Sequence, residues 1–150
     1  MFKRVLVPLD GSEFAEQALQ PALTIAEKCG SEVIVLRVVV PDELVMVSPT
    51  LSAAYPKVVD EAAKRDWEEA EAYIESIRAR WADAKVPLRT EVISGAPPER
   101  ILDVAQADGA DLIVMSTHGR AGLSRLVYGS VAEAVLRGGR VPVLLIPIKS

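Results

Sequence analysis

The stretch Asp111 to Val131 reads DLIVMSTHGRAGLSRLVYGSV, and its reading decides the fold. Leu112 to Met115 is a short apolar run of the kind a strand buried on both faces carries. Small and polar residues follow at once: Ser116, Thr117, His118 and Gly119. Further along come Gly129 and Ser130, then Val131, Ala134 and Val135 at helical spacing. That spacing predicts a helix with Ser130 as its N-cap. Strand, glycine-bearing loop and helix start, in this order, build an anion site in open α/β sheets. Glycines let backbone N–H groups approach a phosphate, and a helix N-terminus adds roughly half a positive charge.

Outward from this stretch, strands and helices alternate. Val5 to Leu9 reads as a first strand, and Asp10-Gly11-Ser12 as a turn with Ser12 capping a helix from Glu13. Ala15, Ala18, Leu19, Ala22 and Ala26 keep that helix's period, Pro21 should kink it, and Gly30 should stop it. Glu32 to Val40 is a second strand, rich in β-branched residues. Pro41 to Pro56 has no clear period and is expected to be a surface loop over the core. Lys57 to Lys85 should be one long helix, with Ala63, Trp67, Ala70, Ile74, Ile77, Trp81 and Ala84 as its core stripe. Leu88 to Ile93 is a third strand. A short helix holds Ile101, Leu102 and Ala105 and ends at Gly109. After the decisive stretch, Gly138-Gly139 ends the last helix and Val141 to Ile146 is a fifth strand.

This alternation predicts one domain over residues 1–150. It is a single open parallel five-stranded sheet with helices on both faces. In such sheets ligands bind beyond the carboxyl ends of the strands, where the strand order switches. The ends of the first, second and fourth strands should converge on one crevice. There Asp10 is suited to bond ribose hydroxyls or to help hold a magnesium ion bridged by phosphates.

The composition bounds the function. Half the residues are hydrophobic, a quarter are charged, and the net charge is −4, which argues against a general nucleic-acid surface. The one cysteine, Cys29, excludes an intramolecular disulfide and carries no activating pattern. The longest apolar run, Val33 to Val40, is interrupted by Arg37 and far too short to span a bilayer. Met1 to Asp10 is too short an apolar run for a secretion signal, so a cytoplasmic setting is expected. His118 is the only histidine, and no cysteine or acid near it supplies a triad or a zinc spacing. Neither the P-loop nor the Rossmann glycine pattern is present. The loop has no lysine, and Arg120 and Arg125 are its cations.

The chain resembles the universal stress protein family. The ATP-binding branch of that family carries Gly-x-x-Gly, nine residues, then Gly-Ser or Gly-Thr; here Ser116, Gly119, Gly129 and Ser130 match, with Ser116 in place of the first glycine. Val-Pro-Leu-Asp-Gly-Ser near the start and Val-Pro-Val-Leu-Leu-Ile-Pro near the end also look like this family, so the resemblance covers nearly the whole chain. It implies a Rossmann-like fold of the adenine nucleotide alpha hydrolase type. It also implies a nucleotide pocket formed by Pro8, Asp10, Val38, Met115, Ser116, Thr117, His118, Gly119, Arg120, Gly122, Gly129, Ser130 and Val131. Val38 would act there through its backbone. The function implied is adenine-nucleotide binding, ATP with magnesium, in a stress-response setting. The alternatives are a slow ATPase or a dimeric scaffold that binds no nucleotide. Nothing in the sequence positions water for fast hydrolysis, so a binding module is preferred to an enzyme. A homodimer through Val143 to Ile146 is expected, because Pro142 and Pro147 flank an apolar strand suited to a sheet edge.

Overall fold

The computed structural model describes residues 1–41, 48–117 and 129–148. Five strands, β1 (Arg4–Leu9), β2 (Glu32–Val39), β3 (Leu88–Ser94), β4 (Leu112–Ser116) and β5 (Val143–Ile146), form one sheet in the order β3-β2-β1-β4-β5. All four neighbouring pairs are parallel. The chain leaves β1 for β2 on one side and later returns to place β4 on the other, so the strand order switches between β1 and β4. The described helices are α1 (Glu13–Glu16), α2 (Leu19–Cys29), α3 (Pro49–Ala54), α4 (Pro56–Arg80), α5 (Pro97–Ala107) and α6 (Ser130–Gly138). Each βαβ return is the kind that covers a parallel sheet on both faces.

Side-chain alternation divides the core in two. Val5, Val7, Leu9, Val33, Val35, Leu112 and Val114 pack with Leu19, Ala22, Leu23 and Ala26 of α2 and with Ile74 and Ile77 of α4. Leu6, Ile34, Leu36, Val38, Ile113 and Met115 pack on the other face, with Ile101, Val104 and Ala105 of α5 and Ala132 and Val135 of α6. At the amino ends of the strands, the Asp111 carboxylate accepts from the Lys3 and Arg4 amides at 2.8 and 3.1 Å. Nearby, Arg89 meets Asp108 at 3.0 Å and Glu91 at 3.4 Å. Partial burial, followed by a hydrogen bond and repulsion from Asp108, raises the Glu91 carboxyl above its ordinary range.

Several boundaries differ from the sequence reading for identifiable reasons. The first helix does not kink at Pro21 but breaks before it, at Gln17-Ala18, so that Pro21 falls in the first turn of α2. A proline there sacrifices no intrahelical hydrogen bond. Gly30 does stop α2, in the left-handed conformation at φ 69°, where its N–H bonds the Ala26 carbonyl. The expected loop contains α3, capped by the Ser48 hydroxyl on the Leu51 N–H at 3.3 Å, while residues 42–47 lie outside the described chain. The long helix ends at Arg80 rather than Lys85, and only Ala70, Ile74 and Ile77 of its stripe are buried. Ala63 is exposed and Trp67 half-buried, so burial of the stripe is confined to the second half of α4. Trp81 and Ala84 lie beyond the helix yet still pack on its core. β5 begins at Val143, two residues later than the pattern suggested.

Candidate functional site

The carboxyl ends of β2, β1 and β4 lie side by side. β1 pairs with β2 up to Leu9 and Arg37, but its recorded pairing with β4 is confined to Val5 with Leu112 and Leu6 with Ile113. Chemistry explains the early stop. Lys3 O accepts from Glu32 N, and Arg4 O accepts from Asp111 N, so odd backbone groups of β1 face β2 and even ones face β4. Pro8 is even and has no N–H, so the next ladder bond towards β4 cannot form. The switch point is therefore also where the hydrogen-bonded ladder of the sheet is interrupted.

Asp10 stands at this point, half-buried. Its Oδ1 accepts from the Ser12 N–H at 2.9 Å and from the Ser12 hydroxyl at 2.6 Å. The same hydroxyl accepts from the Ala15 N–H at 3.2 Å and so caps α1. Gly11 lies between them at φ 89°, a conformation that favours glycine. One end of the Asp10 carboxylate is thus oriented by the turn that follows β1.

The alternation that places Leu6, Val38 and Met115 on the α5–α6 face places Pro8, buried, on that face too. Ser116 continues the Leu112 and Val114 series, which faces α2, and is 7% exposed. The Val38 carbonyl, expected to act through its backbone, accepts from Arg37 Nη1 at 2.5 Å. Thr117 is the last residue described before the loop. Its N–H donates to the Ile146 carbonyl at 2.9 Å, and its own carbonyl accepts from the Gly129 N–H. The loop is therefore closed at its base by a direct bond between its two ends. His118, Gly119, Arg120 and Gly122 lie outside the described residues.

Beyond the loop, the cap of α6 is Gly129 rather than Ser130, which is the first helical residue. Gly129 has φ −62° and ψ 156°, the extended geometry of an N-cap, and its carbonyl accepts from the Glu133 N–H at 2.9 Å. Gly129 offers no side chain to the first-turn amides. Ser130, Val131 and Ala132 thus present N–H groups that no helical carbonyl takes, at the positive end of the helix dipole. Ser130 is exposed and Val131 half-buried. Among the described residues, no group of three or more His, Cys, Asp or Glu side chains is placed to hold a metal ion, and no helix is long and apolar enough to cross a membrane.

Sequence reading missed two parts of this arrangement: the second bond of the Ser12 hydroxyl, and the grip of Arg37 on the Val38 carbonyl. The Asp-Gly-Ser spacing was a usable signal for the first, since Asp side chains commonly bond the backbone two residues on. A cation beside a strand-end carbonyl leaves no sequence signal.

A parallel sheet with an acidic residue and a helix N-terminus at its switch point defines an open α/β protein of the Rossmann-like class. The universal stress protein family model matches residues 1–147, and the chain belongs to that family. Universal stress protein MJ0577 of Methanocaldococcus jannaschii is 30% identical over 158 aligned positions, covering 100% of this chain and 98% of that protein. Its structure superposes with a TM-score of 0.85 at 31% identity, over 100% of this chain and 99% of that one. The UspA structure from Lactobacillus plantarum gives 0.82 at 27% identity, covering 98% and 97% of the two chains. A universal stress protein in complex with cAMP gives 0.62 at 22% identity, covering 99% and 98%, a likeness of fold.

Proposed function

We propose that this chain binds adenine nucleotide, as ATP with magnesium, and acts in the cytoplasm as a binding and signalling module of the stress response. The observation that carries the reading is the uncapped N-terminus of α6, tied through Gly129 to Thr117 at the carboxyl end of β4. A phosphate there would meet first-turn amides that no helical carbonyl takes, together with a favourable dipole. Pro8, Asp10, Val38, Met115, Ser116, Thr117, Gly129, Ser130 and Val131 form the described part of this pocket, and His118, Gly119, Arg120 and Gly122 complete the proposed set. The cAMP complex of a fold neighbour supports an adenine nucleotide as the ligand type. Asp10 suits magnesium because a hard ion held by one carboxylate takes its remaining ligands from phosphates and water, so no protein cage is required. When bound, the ion would neutralise phosphate charge.

Calorimetric titration with magnesium-ATP tests this. Wild type should bind, and Asp10→Ala should weaken binding about 10-fold, equivalent to about 1.4 kcal/mol. No heat and no retained nucleotide in the mass spectrum of freshly purified protein would favour the non-binding scaffold instead. Multiple turnover of ATP by wild type, lost in Asp10→Ala, would favour the slow ATPase.

The same reading includes a homodimer through β5. This strand occupies a sheet edge, its residues are incompletely buried, and Leu144 is 36% exposed. An apolar edge invites pairing, and an antiparallel copy across a two-fold axis would cover it. Light scattering after size exclusion should give twice the chain mass at micromolar concentration, and a strict monomer would refute the dimer.

A further inference from the structure

Beyond the crevice, a polar cluster joins the long helix to α1, the helix that follows the turn carrying Asp10. Glu16, at the end of α1, accepts from Tyr73 Oη at 3.0 Å through Oε2 and from Arg80 Nη2 at 2.5 Å through Oε1. These partners lie 57 and 64 residues further along the chain. Tyr73 and Arg80 are seven residues apart on α4, two helical turns, and so share a face. The Glu16 side chain is only 17% exposed, so the surrounding protein and its two donors hold it in place. Burial, the Glu16 bond and then the negative charges of Glu16 and Asp10 push the Tyr73 hydroxyl far above its ordinary range. Tyr73 therefore keeps its proton for Glu16, and Asp10 lies close enough for its charge to act there.

α1 needs such an anchor. It has four residues, and an isolated helix of that length does not persist in water. Its bond from the Glu16 N–H to the Ser12 carbonyl is long, at 3.4 Å. Yet Ser12, its cap, is the residue that holds Asp10 Oδ1 by two bonds. Moving α1 moves the cap, and with it the two donors that orient Asp10 Oδ1.

We propose that Glu16, clamped by Tyr73 and Arg80, is a positioning residue for Asp10, so that the long helix sets the orientation of the carboxylate in the crevice. This rests on the nucleotide reading for its ligand, but the clamp itself can be tested without ligand. In ligand-free protein, Glu16→Ala should speed amide exchange at Ser12 and Ala15 at least 10-fold, with β2 amides unchanged. Glu16→Gln, which still accepts from Tyr73, should restore part of the protection. Unchanged exchange at Ser12 in a folded Glu16→Ala protein would overturn the proposal.

The second arm titrates magnesium-ATP. Glu16→Ala should weaken binding about 5-fold when Asp10 is present and have no effect in an Asp10→Ala background, because coupled residues are non-additive. Equal losses in both backgrounds would show that Glu16 acts on stability alone, and would also overturn it. If wild type binds no nucleotide, the functional reading fails while the exchange measurements still decide the clamp.

Discussion

Ile34→Ala should destabilise the protein by about 2–5 kcal/mol, towards the upper half of that range. Ile34 is fully buried in β2 and packs with Leu6, Leu36, Ile101 and Ile113 beneath α5 and α6. β2 is paired on both sides, with Leu6 opposite Ile34 on β1 and Arg89 opposite it on β3. The backbone at Ile34 therefore cannot sink to close the space that three missing carbons leave. For a chain of this size each kcal/mol is worth roughly 2–4 °C, so the melting midpoint should fall by about 8 °C or more. Val58→Ala, at a site 61% exposed in the first turn of α4, is the control and should stay within about 0.5 kcal/mol. Calorimetric melts of the two variants check this. A fall under about 2 °C for Ile34→Ala would show that this half of the core is loosely packed.

Residues such as Ile34 made the fold readable. Strands buried on both faces leave runs like Val33 to Leu36 and Leu112 to Met115, which no amphipathic helix of similar length would carry. Such runs alternating with helical periods fix a parallel sheet, and the sheet fixes where a crevice lies. Asp10 and Gly129 could be proposed from the sequence because the place of each follows from its position within a βαβ unit. The failures share a different cause. Ala63 and Trp67 keep helical spacing with Ala70, but periodicity cannot tell how far along a helix its apolar face stays buried. Pro21 reads the same whether a helix kinks there or starts anew just before it. The clamp on Glu16 joins residues far apart in sequence, and one sequence holds no record of such a pair. Ser130 looked like the cap because serine is a better cap than glycine. The structure instead places a glycine at the cap, which offers the first-turn amides no side-chain acceptor.

That end of the helix is the basis of the largest functional effect expected, the loss of magnesium-ATP binding in Gly129→Val by more than about 100-fold, roughly 2.7 kcal/mol. The mechanism is access. Gly129 has φ −62°, so a valine there is not strained by a left-handed backbone, and the variant should fold. Its branched side chain would instead stand over the amides of Ser130 and Val131, where a phosphate must approach closely. The Gly129 N–H would still reach the Thr117 carbonyl, so the base of the loop should stay closed. Gly129→Ala carries less bulk and should lose correspondingly less. Ser130→Ala removes only an exposed hydroxyl and should lose least. The control must lie on the same helix without disturbing the core. Gly138→Ala is unsuitable, since a Cβ there would come 2.9 Å from Leu102 Cδ1. Leu136→Ala, at a site 46% exposed, is preferable and should bind as wild type does. Because lost stability can imitate lost binding, each variant is first required to show a wild-type dichroism spectrum and a cooperative melt. A folded Gly129→Val that binds magnesium-ATP with wild-type affinity would remove the phosphate from the α6 N-terminus, and the dimeric scaffold would then be the better account of this chain.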